Sequence, residues 1–160
     1  MSRRADALAG RVEQGANTLA AFAEGLSDAE WRAVVPPDGR TVGVMIHHVA
    51  SVYPVEIELA GLIASGKAVS GVTWDTVAGL NAKHAHEHAT VGKQETLELL
   101  RRNSNAAVKA ILAFTDEELD TAAPVSINAG APLTAQFLIE DHALRHSFHH
   151  LAKIKAALRR

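Results

Sequence analysis

Apolar residues in this chain recur at three-, four- and seven-residue spacings in segment after segment, and nowhere do they alternate convincingly with period two. Such a pattern describes amphipathic helices that each bury one face, and it argues against a core built on sheets. Residues 3–25 place Leu8, Val12, Leu19, Phe22 and Leu26 on one stripe. Residues 42–65 set Val44, Met45, His48, Val52, Val55, Leu59 and Leu62 on one face, with Thr41 able to cap the start. Pro54 lies inside that run; it removes an amide donor and predicts a kink or a short break. A third region is broken near Thr90-Val91-Gly92. Its first part, 74–89, lines up Trp74, Val77, Asn81, His84 and His88, and its second, 93–114, lines up Leu97, Leu100, Ser104, Ala107, Val108 and Ile111. A last helix is expected over 134–158. Ser27 with Glu30, and Thr115 with Glu118, have the capping-box spacing and predict short extra helical turns in the connections. Pro124, Asn128-Ala129-Gly130 and Pro132 predict an irregular stretch between. The expectation is an all-α four-helix bundle, with residues 1–160 as a single domain.

Composition narrows the function. A chain of 160 residues, 48% of them hydrophobic, can bury a core without covalent staples. It has no cysteine, which excludes disulfides, iron–sulfur clusters, thiolate zinc sites and a cysteine nucleophile. A net charge of −2 gives no electrostatic case for nucleic acid or an anionic membrane surface. No apolar run approaches the roughly 18 residues of a membrane span. Met1-Ser2-Arg3-Arg4 leads into a polar-interrupted helical pattern instead of a secretory h-region, so a cytoplasmic protein is expected. The expected partners are a small-molecule substrate and, from the Ala-rich helical surface, a second copy of the chain as a homodimer.

The distinctive residue is histidine. There are nine, and His142, His146, His149 and His150 fall within nine consecutive positions. Histidines four apart share a helix face, so His146 and His150 can reach one point beside the helix. A divalent metal needs imidazole nitrogens converging at about 2.0–2.1 Å, and two ligands rarely suffice. His48 is the best third candidate, because its neighbours make its face the inward one; His47, about 100° round the helix, is expected nearer solvent or a flank. A lone histidine on an apolar face is more often a hydrogen-bonded core residue than a ligand. An i, i+4 pair with a third histidine on another core helix shifts that balance, since several buried imidazoles without a metal would cost about 1–3 kcal/mol for each unsatisfied group. Two other metal motifs fail: His146 is followed by Ser147 where a zincin helix needs Glu, and no glutamate has a histidine three residues later, as ferritin-like dimetal bundles require.

Thr41-Val42-Gly43-Val44-Met45-Ile46-His47-His48 and His146-Ser147-Phe148-His149-His150 resemble the two signature elements of the DinB-like family of four-helix bundle metalloproteins. In that family a Ser/Thr-initiated second helix carries a histidine about seven residues in, and the last helix carries His-x-x-x-His. The resemblance puts the metal ligands on His48, His146 and His150. The family's frequent Glu after the first histidine, and Arg-Gly-Gln after the second, are replaced here by Ser147 and Leu151-Ala152-Lys153. A faint internal echo, in which a capping box leads through prolines to a threonine-capped histidine helix twice over, would instead align His142 with His48 and makes it a rival ligand.

Three imidazoles would leave a coordination position open, as in a catalytic metal site. The resemblance implies a metal-dependent enzyme, with a low-molecular-weight thiol as co-substrate in S-transfer or isomerisation, or a hydrolase. The metal is a divalent ion that the sequence does not resolve among Zn, Ni, Fe and Mn. Trp74, Asn81, His84 and His88 form the stripe expected to meet substrate, while His47, His86 and His149 read as bystanders. The alternative is a non-catalytic, stress-associated metal-binding or dimerising helical protein.

Overall fold

In a computed structural model that describes residues 2–160, the helical reading holds and its phase is corrected in places. α1 spans Arg3–Glu24, α2 Asp28–Trp31, α3 Val42–Ala64, α4 Trp74–Glu87, α5 Lys93–Leu112 and α6 Asp116–Asp120. Strands β1 (Ala122–Val125) and β2 (Ala131–Thr134) follow, then α7 (Ala135–Leu138), a π-helical segment (Ile139–Leu144) and α8 (Arg145–Leu158). The bundle is made by α1, α3, α5 and the continuous α7–π–α8 rod: α1 and α3 pack along α5, and the rod closes against α1 and α3. No helix among the described residues is long and apolar enough to cross a membrane.

The caps read from the sequence are made. Ser27 with Glu30, and Thr115 with Glu118, form reciprocal capping boxes. Thr41 accepts from the Val44 amide at 3.3 Å, and Thr134 accepts from the Phe137 amide at 3.1 Å. The stripes of α1 and α5 are buried largely as expected: Leu8, Val12 and Leu19 on α1 join Leu97, Leu100, Ala107 and Ile111 on α5 within one core.

Three expectations fail in whole or in part, for physical reasons. Of the two outcomes expected at Pro54, the break is absent, since α3 runs continuously through it. A proline at 54 frees the carbonyl of Ala50, and the Asn103 side-chain amide on α5 donates to that oxygen at 2.8 Å. The stretch around Pro124 and Pro132 is not irregular: it is an antiparallel hairpin with Pro124 opposite Pro132, the two prolines meeting where neither needs to donate. The inward face of α3 beyond Ser51 is Tyr53, Glu56, Ala60 and Ile63, whereas Val55 is 53% exposed and Val52, Leu59 and Leu62 are half-buried. Apolar residues surround this part of the helix, so periodicity could not fix its phase.

Two close approaches set the position of the helices that carry the histidines. A Cβ at Gly15 of α1 would collide with Ser147 Oγ and the Phe148 ring, so α8 sits hard against α1 one residue after His146. A Cβ at Gly43 would lie 2.5 Å from the Trp31 ring, which seats α2 on the first turn of α3. Trp31 Nε1 in turn donates to the Val91 carbonyl at 3.0 Å and anchors the link between α4 and α5.

Candidate metal centre

Residues 42–50 of α3 are buried all round, enclosed by α5, α4 and α8. His47 and His48 therefore both point into protein, in directions a residue's rotation apart. His48 turns to α8, where its Nε2 lies 3.1 Å from His146 Nε2. The rings of His48, His146 and His150 stand 4.6 to 5.5 Å apart, and one nitrogen from each falls within 4.8 Å of the others. Two nitrogens on one tetrahedral ion at 2.0–2.1 Å are separated by about 3.3–3.4 Å. The His48–His146 spacing is close to that, and it brings two like lone pairs together unless a proton or a cation lies between.

Glu56 makes the arrangement directional. It is buried on α3, two turns beyond His48, and its Oε1 accepts from His146 Nδ1 at 2.9 Å. That bond places the proton on Nδ1 and leaves Nε2 of His146 free as a ligand, the role a carboxylate behind a metal-bound histidine performs. The His150 Nδ1 is buried with no protein partner, and so is Glu56 Oε2. Burial, followed by the closeness of the His146 imidazole, pushes His48 down to about 3 and His150 down to about 2, so both are neutral donors at physiological pH. An all-imidazole donor set, an orphaned buried nitrogen and a carboxylate-oriented third ring together fit a divalent ion. His146 keeps 21% of its side chain exposed, which leaves an approach from solvent.

His47 lies on a flank of α3, as one arm of the expectation had it, but neither at solvent nor as a bystander. It is only 5% exposed, because α4 lies across the flank of α3 that would otherwise face water. Its Nδ1 is 2.9 Å from His84 Nε2, and its ring stacks on His88 at 4.1 Å between centroids. The stripe expected to meet substrate thus divides: His84 and His88 join His47, while Trp74, 67% exposed, starts α4 about 15 Å along the helix axis from His84. Asn81 is half-buried between them. His142 lies in the π segment, 3.7 Å from Asp141 Oδ2, and is not brought to the His48 cluster. The wider turn of that segment takes it out of line with His146 and His150. His86 and His149 are exposed.

Sequence reasoning missed Arg40. Its Nε and Nη2 are clamped by Asp38 at 2.5 and 2.9 Å, and its Nη1 is buried without a partner. It stands close enough for its charge to lower His48, His84 and His150, after burial and the neighbouring imidazoles. Arg40 also lines a shallow hollow of about 150 Å³ with Thr41, Val44, Ala85 and Ala89. A larger open hollow of about 480 Å³ lies on the far side of Asp38, against Lys153 and Ala157 of α8. The signals were an Asp-x-Arg neighbourhood just before a histidine helix and, for Glu56, an acid inside the most apolar segment.

The chain is thus a helical bundle in which histidines from two long helices converge beside a buried carboxylate, a group that could hold a metal ion. The chain belongs to the DinB superfamily, whose sequence model matches residues 11–154. No curated protein matches it. Among solved structures it is similar to YfiT from Bacillus subtilis, described as a probable metal-dependent hydrolase with an unusual four-helix bundle topology; the TM-score is 0.75 at 19% identity, covering 99% of this chain and 89% of that one. At that identity the likeness is one of fold.

Proposed function

We propose that the protein is a metal-dependent enzyme, a hydrolase of a small substrate, with His48, His146 and His150 as the ligands of one divalent ion. The observation that carries the reading is the convergence of these three imidazoles, one backed by Glu56 and one with a buried nitrogen that no protein group satisfies. His48, His146 and His150 would hold a divalent ion, which would supply Lewis acidity and acidify water when bound. The chain's own groups do the rest. Glu56 holds the Nδ1 proton of His146 and keeps that ring in register. Arg40, fixed by Asp38, adds a positive charge close enough to act on His48 and His150. The bundle walls exclude water from all but the exposed side of His146.

The description of YfiT supports hydrolysis. S-transfer from a low-molecular-weight thiol is the second reading; the chain has no cysteine, so any thiolate at the site would come from outside. Metal analysis of the purified protein, followed by turnover of ester, amide and thiol-dependent substrates, tests both. Turnover that needs the ion, is lost in His146→Ala and proceeds without added thiol is the expected result. Turnover only with thiol favours the second reading. A stoichiometric ion with no exchangeable water and no turnover would overturn both in favour of a non-catalytic metal protein.

A further inference from the structure

We propose that His47, His84 and His88 form a second binding site for a divalent transition-metal ion, which fastens α4 to the bundle; it shares no ligand with the first but adjoins it, the His84 ring standing 5.5 Å from that of His48. The metal centre proposed above needs only His48, His146 and His150.

The geometry repeats that of the first triad. One helix, α3, supplies a single histidine, and a second segment supplies an i, i+4 pair: His84 on α4 and His88 at its C-cap stand to His47 as His146 and His150 on α8 stand to His48. One nitrogen from each of the three falls within 4.8 Å of the others. His84 Nε2 faces His47 Nδ1 at 2.9 Å and Ser51 Oγ at 3.4 Å, while its Nδ1 is buried with no partner. The centroids lie 4.1 to 5.0 Å apart, slightly tighter than in the first triad. The half-exposed His88 is the ring free to turn outward and admit an ion. A donor set of three imidazoles with no carboxylate selects zinc, nickel, cobalt or copper over magnesium or calcium.

The packing of α4 supplies an independent argument. Its 14 residues include no buried side chain, and Trp74 and Leu80 are 67% and 62% exposed. Hydrophobic burial therefore does little to hold the helix where it lies. His84 and His88 make its ring contacts with α3, both to His47 and His84 also to His48 and Ser51, and the Trp31–Val91 bond secures only the link that follows. An ion coordinated from α3 and α4 would bind the docked helix and not the undocked one, and so would stabilise the docked state by mass action.

The test is zinc titrated into the chelator-stripped full chain by calorimetry, with hydrogen exchange of α4 amides read in parallel. Wild type is expected to take up two equivalents, and His84→Ala/His88→Ala one. With zinc at ten times the dissociation constant of this site, α4 exchange should slow about tenfold in wild type and in His146→Ala/His150→Ala. It should not slow on adding zinc to His84→Ala/His88→Ala, whose bundle core is intact because neither residue packs in it, although its α4 exchanges faster than wild type from the start. A single equivalent in wild type that His146→Ala/His150→Ala abolishes overturns this site and leaves the first standing. One equivalent that only His84→Ala/His88→Ala abolishes does the reverse. Two equivalents retained in His84→Ala/His88→Ala, or a second equivalent lost with His86 or His149 instead, overturns the proposal.

Discussion

Replacing Glu56 by glutamine separates the metal centre from the fold that carries it. Glu56 is 8% exposed, with one carboxylate oxygen on His146 Nδ1 at 2.9 Å and the other buried without a partner. Its charge raises the donor strength of His146 through that hydrogen bond. Loss of such a carboxylate costs about 10–100-fold in metal affinity, or about 1.4–2.7 kcal/mol at 1.36 kcal/mol per tenfold. In metal-free protein the sign changes. A buried carboxylate with an unsatisfied oxygen is costly, and the amide of Glu56→Gln would keep an acceptor on His146 while removing the charge. Glu56→Gln should therefore weaken zinc binding about 10–100-fold in competition with a chromophoric chelator at pH 7.5, and should leave the melting temperature of the stripped protein unchanged or higher. Glu56→Ala should weaken zinc at least as much and also lower that melting temperature, because the His146 Nδ1 proton and a cavity are left behind. A dissociation constant for Glu56→Gln within twofold of wild type would refute the orienting role of the carboxylate.

The remaining predictions use the same protein. Because burial holds His48 near 3 and His150 near 2, the unfolded chain takes up protons below about pH 6.5 that the metal-free folded state refuses. Stability is then level above pH 6.5 and falls by about 2 kcal/mol per histidine between pH 6.5 and 5; equal melting temperatures at pH 7 and 5 in stripped protein would contradict this. Zinc at 100 times its dissociation constant should stabilise the fold by about 2.7 kcal/mol, reversed by chelator and reduced in His150→Ala. Gly43→Ala, whose Cβ would meet the Trp31 ring at 2.5 Å, should destabilise by about 1–3 kcal/mol in urea melts. Trp74→Ala, at an exposed position, should change stability by less than about 0.5 kcal/mol.

Much of the fold was legible because most helices carry their own punctuation. Ser27 with Glu30, Thr115 with Glu118, Thr41 and Thr134 each begin a helix where the spacing says one should begin. What the sequence hid was long-range. The amide that repairs the Pro54 gap belongs to Asn103, 53 positions along the chain from the Ala50 carbonyl it meets. The hairpin at Pro124 and Pro132 has only 4 residues in each strand, too few for a period-two signal. The π segment at 139–144 has no local marker, yet it decides that His142 leaves the line of His146 and His150.

The histidines show where a phase argument stops working. Treating α3 as amphipathic gives it one inward face, and a residue about 100° away must then face out. That holds for a helix at the surface of a bundle, but residues 42–50 have no outer side. Adjacent His47 and His48 can then serve two different neighbours, α4 and α8. The clue lay in the spacings: two adjacent histidines on α3, and a His-x-x-x-His pair on each of two other segments, at 84 and 88 and at 146 and 150, so that each member of the first pair has a pair of its own to meet. In a helix buried all round, consecutive histidines are two directions of attack on the surrounding structure, and each has to be followed to whatever element covers it.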